Sequence, residues 1–215
     1  MAEMIMDGIL ETLYMTIVST ILAYVFGLPL GVLLVVSGKN GIKPMPTINV
    51  IISFIVNVFR SIPFLILLVA IIPFTRFIVG TMLGSTAAIV PLTVAAAPFV
   101  ARLVETSLSE VDSGVVEAAE SMGAGTWQII RKVLLPEAKP SLINNATVAT
   151  ITILGYSAMA GVVGGGGLGD IAIRYGYYRY QTDIMLVTIV ILVLLVQIMQ
   201  WVGMLLSKKL DRRKA

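Results

Sequence analysis

The sequence predicts an all-α protein that crosses a membrane several times, and three observations carry that prediction. Of its 215 residues, 58% are hydrophobic and only 13% are charged, where an ordinary soluble domain has about 25% charged residues. The apolar residues fall in runs long enough to cross a bilayer, whose ~30 Å hydrocarbon core takes about 20 helical residues. The charged residues gather between those runs, with ten of them from Arg102 to Lys139. A soluble core of this length could not hide so much apolar surface. The expectation is one membrane domain, residues 1–215, with five spans at about 12–37, 55–75, 84–102, 142–164 and 184–206.

The first eleven residues carry Glu3, Asp7 and Glu11 and no Lys or Arg, unlike the basic start of a secretory signal. The first span follows without charge from Thr12 to Gly38, and Gly27, Pro29 and Gly31 inside it point to a kink or to close helix packing. Lys39 to Pro46 is a turn rich in Gly and Pro. Ile48 to Phe59 then approaches from the cytoplasmic interface, and Ser61 to about Thr75 forms the body of the second span, with Pro63 near its start, where proline is tolerated. Arg60 has two readings. Buried, it would mark a functional site pairing with a carboxylate; lying within a turn or two of the interface, it would snorkel to water, the reading its position favours. Pro91 and Pro98 fall within the third span.

The polar passage at about 103–140 is an aqueous loop, and its apolar residues are patterned. Val115, Val116, Ala118, Ala119 and Met122 repeat at helical spacing, as do Trp127, Ile130 and Leu134. Gly123-Ala124-Gly125 breaks the helix, Thr126 is placed to cap the next one, and Pro136 is expected to end it. Two short amphipathic helices joined by a glycine elbow make a docking surface for another protein.

The fourth span carries Asn144, Asn145, Thr147, Thr150 and Thr152, then Tyr156, Ser157 and Met159 ahead of Gly161. Small and hydroxyl residues serve helix packing. Tyr156, Ser157 and Met159 also suit a narrow gate, because an unbranched methionine can seal a path and yield again. With Ser61 and Asn145 they are the candidate pathway residues. Gly164 to Gly169 contains G-x-G-x-x-G, but it follows a membrane span rather than a strand, so it reads as a flexible extracellular turn and not a dinucleotide site. Gly38-Lys39 lacks the remainder of a P-loop, with Asn40 in place of Ser or Thr. The chain therefore has no ATP site of its own, and any ATPase is a separate chain.

There is no Cys and no His. This removes disulfides, thiol nucleophiles, Ser-His-Asp triads and His-ligated metals together. No catalytic, cofactor-binding or metal site is expected, and the chain does not read as an enzyme. With the N-terminus outside, cytoplasmic segments hold eleven Lys and Arg: Lys39, Lys43, Arg102, Arg131, Lys132, Lys139 and the tail residues Lys208, Lys209, Arg212, Arg213 and Lys214. The outside holds three, Arg76, Arg174 and Arg179, so the C-terminus is cytoplasmic. The basic tail reads as a membrane anchor rather than a nucleic-acid site. No internal repeat divides the chain, and a single copy this short lines a central path most simply as a homodimer.

The spacing Glu117-Ala118-Ala119, then Gly123, then Val133-Leu134-Leu135-Pro136 resembles the loop signature of the permease subunits of bacterial ATP-binding-cassette (ABC) importers, with Val133 where isoleucine is usual. Segments Phe59 to Phe64, Pro91 to Glu105 and Gly155 to Asp170 resemble the methionine-uptake members of that family, over nearly the whole chain. The resemblance implies the type I importer permease fold in a bacterial inner membrane. It also implies a second copy of the chain, two ATPase subunits that hold ATP and magnesium, and an external binding protein. The solute would be methionine, D- or L-, moved by alternating access. Glu117, Ala118, Ala119, Gly123, Trp127, Leu135 and Pro136 would couple the spans to the ATPase, with Glu117 holding the loop by a hydrogen bond or ion pair. Two rivals stand beside this reading: a permease for polar amino acids or phosphonates, and a self-sufficient channel or secondary transporter. The docking loop argues against the second, as does the placing of all twelve Asp and Glu outside the spans or at their edges.

Overall fold

The computed structural model describes residues 1–210, and every element among them is helical. The tail residues Arg212, Arg213 and Lys214 lie outside the described residues. In chain order the helices are α1 (Ala2–Ser37), α2 (Pro46–Ser61), α3 (Phe64–Ala70), α4 (Ile72–Val79), α5 (Ser85–Ser109), α6 (Ser113–Ser121), α7 (Thr126–Ile129), α8 (Leu135–Glu137), α9 (Lys139–Ala160), α10 (Gly167–Ile171) and α11 (Thr182–Leu210). A π-helical turn, Ile130–Leu134, joins α7 to α8, and another, Ala172–Tyr177, follows α10.

Among the described residues four helices, α1, α5, α9 and α11, are long and apolar enough to cross a membrane, and the bent pair α2 and α3 passes the same test of length and composition when taken together. The centre of the bundle is the seam between α1 and α5. A Cβ on Gly27 would lie 2.7 Å from the Ala97 carbonyl oxygen, and one on Gly31 would lie 2.6 Å from that of Ala101. Four residues apart, the two glycines share one face and let the backbones touch. In lipid, such close van der Waals packing holds helices together where the hydrophobic effect cannot. Of the two readings of Gly27 and Gly31, close packing is what the structure contains. Met15, Leu92, Val100, Val104 and Ile153 fill the buried core around the seam. α11 keeps Leu186, Val190, Leu194 and Ile198 exposed on its outer face, as a lipid-facing helix does.

The segment 55–75 is not one continuous span. α2 and α3 meet at 99°, because proline disfavours helical geometry in the residue before it. Ile62 is extended, with φ −82° and ψ 123°, and Pro63 stands at the N-cap of α3 rather than inside a helix. α2 is instead held along the bundle by polar contacts. The Asn49 amide donates to the Leu34 carbonyl (2.8 Å) and to Ser37 Oγ (3.1 Å). Arg102 of α5 donates to Asn57 Oδ1 at 2.9 Å while pairing with Glu105. Arg60 is exposed in the last turn of α2 and marks no buried site.

The glycine run is not a flexible turn. After α9 the chain makes one 3₁₀ turn, Gly161–Val163, and doubles back through Gly164, Gly166 and Gly167, all at positive φ, into α10. The returning strand of chain packs so tightly that a Cβ on Gly161 would lie 2.2 Å from the Asp170 nitrogen, and one on Gly169 2.2 Å from the Ala158 oxygen. α1 closes it from the side: the Gly167 N–H donates to Glu11 Oε2 (2.6 Å) and the Leu168 N–H to Thr12 Oγ1 (2.9 Å). Glu11 lies inside α1, which begins at Ala2, ahead of the apolar run that starts at Thr12.

Candidate functional site

The loop between α5 and α9 is built upward from its caps. α5 continues through Ser109, so residues 103–109 belong to that helix rather than to the loop. Asp112 then caps α6 by accepting the Gly114 N–H at 2.7 Å. Within α6, Ala119 is buried and Val116 half-buried against the core, while Glu117 and Ala118 face outward. α6 stops on Gly123 at φ +81°. The Gly123 N–H donates to the Glu120 carbonyl (2.8 Å) and the Ala124 N–H to that of Ala119 (3.1 Å). That pair of bonds is the Schellman stop, which asks for a left-handed residue where glycine stands. Among the described residues Glu117 has no hydrogen bond or ion pair that holds the loop.

The next helix begins one residue earlier than its sequence suggests. Gly125, not Thr126, is the cap, and the Gly125 N–H donates to Gln128 Oε1 at 3.0 Å. Glycine serves at this position nearly as well as threonine. Pro136 does not end the helical path. It lacks an N–H and its ring crowds the carbonyl four residues back. The chain meets this by widening to a π turn, in which the Leu135 N–H reaches the Ile130 carbonyl. Pro136 then falls in the first turn of α8, where its missing donor costs least.

The apolar residues of the loop sort into two sets. Ile129, Ile130, Leu134 and Ala138 turn into the bundle core. Met122 is 81% exposed and Trp127 70% exposed, and Val115 is exposed with them. Trp127, Ile130 and Leu134 therefore do not share a face: the tryptophan points away from the two that are buried. Leu135 is half-buried and Pro136 exposed. A cleft of about 550 Å³ lies beside α6, walled by Val35, Ile42, Leu108 and Leu134 and edged by Glu117 and Glu120. Asp112, Gln128 and Ile129 were not among the site residues expected from sequence. Asp112 ahead of Ser113-Gly114 and Gln128 three residues after Gly125 are local capping signals that could have found two of them.

The candidate pathway residues do not form one constellation. Ser61 is exposed and donates to the Asn57 carbonyl of its own helix at 2.8 Å. Asn145 ties α9 to α5, donating to Ser107 Oγ (2.7 Å) and to the Leu103 carbonyl (3.2 Å). Tyr156, Ser157 and Met159 lie roughly 16–21 Å further along the same helix. Tyr156 stacks on Phe64 with ring centroids 4.7 Å apart. Ser157 is buried and donates to the Leu154 carbonyl at 2.8 Å. Met159 is 45% exposed beside the close-packed glycine turn.

With this geometry in view, comparison with known proteins is informative. Residues 27–212 match the family described as "Binding-protein-dependent transport system inner membrane component". A "Probable D-methionine transport system permease protein MetI" of Vibrio cholerae is 52% identical over 212 residues, 99% of this chain and 94% of that protein. The "D-methionine transport system permease protein MetI" of Escherichia coli K12 is 56% identical over 161 residues, 75% of this chain and 74% of that one. A crystal structure described as "Inward facing conformations of the MetNI methionine ABC transporter" superposes with a TM-score of 0.97 at 52% identity, covering 99% of this chain and 98% of the other.

Proposed function

We propose, from the premise that this chain belongs to the family of binding-protein-dependent transport system inner membrane components, that it is the membrane-spanning subunit of an ATP-driven methionine importer. The fold is that of the type I ABC importer permease. Two copies would line the path, each bearing one ATPase subunit on its loop, and ATP and magnesium would bind on those subunits. An external binding protein would deliver the solute to the glycine-run end, which places the N-terminus outside and the loop in the cytoplasm of a bacterium. The Lys and Arg distribution supports that orientation.

One observation carries the reading: the loop is rigidly founded and yet unfinished. Ile129, Ile130 and Leu134 anchor it in the core, while Met122 and Trp127 stand in water with nothing to cover them. Large exposed apolar side chains on a capped, rigid element mark a protein contact. Glu117, Ala118, Ala119, Gly123, Trp127, Leu135 and Pro136 are the proposed coupling residues. Because the loop runs directly from α5 into α9, a displacement of its helices by the closing ATPase pair moves both spans. A partner shifts the permease between two states only through contacts that differ between them. Ser61, Asn145, Tyr156, Ser157 and Met159 remain the proposed pathway residues, and Met159 meeting its own copy across a two-fold axis would be the gate.

The test is reconstitution of the purified permease with its ATPase and binding protein in proteoliposomes. Methionine is expected to stimulate ATP hydrolysis and to accumulate inside. Stimulation by a polar amino acid or a phosphonate instead would move the substrate assignment, and uptake without the ATPase would remove the importer reading.

A further inference from the structure

At the glycine-run end of the bundle a partly enclosed cavity of about 200 Å³ lies between α3–α4, α5 and the end of α9. Its walls are apolar: Leu68, Met82, Ala87, Pro91 and Val163. No charged side chain lines it. Two polar groups in that wall are short of partners. Thr75, only 4% exposed, lines the cavity, and its hydroxyl has no hydrogen-bond partner among the described residues. Pro91 has no N–H to give the Ala87 carbonyl, so that oxygen lacks its ordinary helical donor. A buried polar group left without a partner costs free energy, and structures rarely keep one without a use.

We propose that this cavity is a subsite for the side chain of the transported solute, and that it takes an apolar side chain with one weak acceptor, such as a thioether. The proposal rests on the reading of the chain as a methionine permease. Its size is right, since an apolar cavity of roughly 150 Å³ holds a molecule as large as benzene. Its chemistry is right as well: the Thr75 O–H can donate to a sulfur, which is a weak acceptor. The uncharged lining cannot stabilise an ammonium or a carboxylate, so the zwitterionic head of the solute stays outside the cavity.

The experiment measures uptake by the reconstituted complex, comparing methionine with its sulfur-free analogue norleucine. The same binding protein delivers both, so a change in their ratio between variants belongs to the permease. Thr75→Val keeps the shape of the wall and removes the donor. It is expected to reduce the preference for methionine over norleucine by roughly threefold, the scale of one weak hydrogen bond. Met82→Trp fills the cavity from the turn before α5, outside the helices, and is expected to lower the uptake of both by about tenfold or more, measured per amount of assembled complex. An unchanged ratio in Thr75→Val together with normal uptake in Met82→Trp would overturn the subsite, and would leave the cavity to lipid or to packing. Should the wild-type complex fail to transport methionine, it is the importer reading that falls, and the two failures are distinguishable.

Discussion

Each end of α9 adjoins a glycine-rich break and a π-helical turn, and the two ends are built in opposite ways. At the loop end, the positions that a Cβ would take on Gly123 and Gly125 have nothing within 4 Å beyond the local chain. At the other end the same construction on Gly161 and Gly169 runs into backbone atoms at 2.2 Å. One set of glycines is there for its dihedral angles, with open space around it. The other is there because two backbones touch. A break surrounded by space is one a partner can cover and move. A break filled by the chain's own backbone, and tied to Glu11 and Thr12, is a fixed corner on which the mobile parts can turn.

The largest effect should come from the fixed corner. Gly161→Ala and Gly169→Ala place a methyl group inside a backbone that cannot yield, and each is expected to cost about 3 kcal/mol or more. The check is gel filtration and thermal unfolding of the purified permease, which should show little folded protein. Gly125→Ala, at the loop end, is the contrasting control and should fold, losing only the difference between a good and a poor cap, about 1 kcal/mol or less.

Next come the exposed side chains of the loop. Trp127→Ala combined with Met122→Ser removes most of the uncovered apolar surface, and neither side chain is buried in the permease. Affinity for the ATPase should fall by about tenfold or more, as on truncating an aromatic anchor, while thermal stability is unchanged. Titration of the ATPase onto detergent-purified permease measures both. Glu117→Ala should act at the same surface and less strongly, since its side chain has no partner to lose among the described residues. A several-fold loss of coupling between solute and ATP hydrolysis, with assembly weakened by less, is the expected result.

Glu11→Gln should have the smallest effect. The amide oxygen still accepts the Gly167 N–H, and only the charge assistance is lost, about 1 kcal/mol or less. A modest fall in melting temperature without loss of uptake would fit a structural tie.

This difference between the ends also marks what could be read from sequence. The spans and the loop were legible because apolar runs and helical spacing are local signals. So was the glycine elbow at Gly123, because a helix stop needs a left-handed residue at a definite place. The packed corner was not legible. A run of four glycines looks the same whether it is loose or packed, and part of what packs it is α1, whose Glu11 and Thr12 lie against Gly166 and Gly167 from more than 150 positions away in the chain. The break at Ile62–Pro63 was visible as a proline, but its 99° consequence depends on α2 being tied to Leu34, Ser37 and Arg102. Trp127, Ile130 and Leu134 matched helical spacing, yet Ile129 is buried together with Ile130 and Leu134, so the core-facing side of the helix is centred between Ile129 and Ile130 and leaves the tryptophan to one side. Pathway residues were the least legible, because a solute route is defined by facing helices and by a second copy of the chain.

The central claim is that the open elbow, unlike the packed corner, serves transmission rather than stability. Gly123→Val tests it most directly, because a β-branched residue at φ +81° strains the elbow by roughly 1–3 kcal/mol at a position whose Cβ would meet nothing within 4 Å. The measurement is methionine-stimulated ATP hydrolysis by the reconstituted complex, with gel filtration of the same variant alongside. The account predicts a folded permease whose ATPase no longer responds to solute. A folded permease with normal stimulation would contradict it.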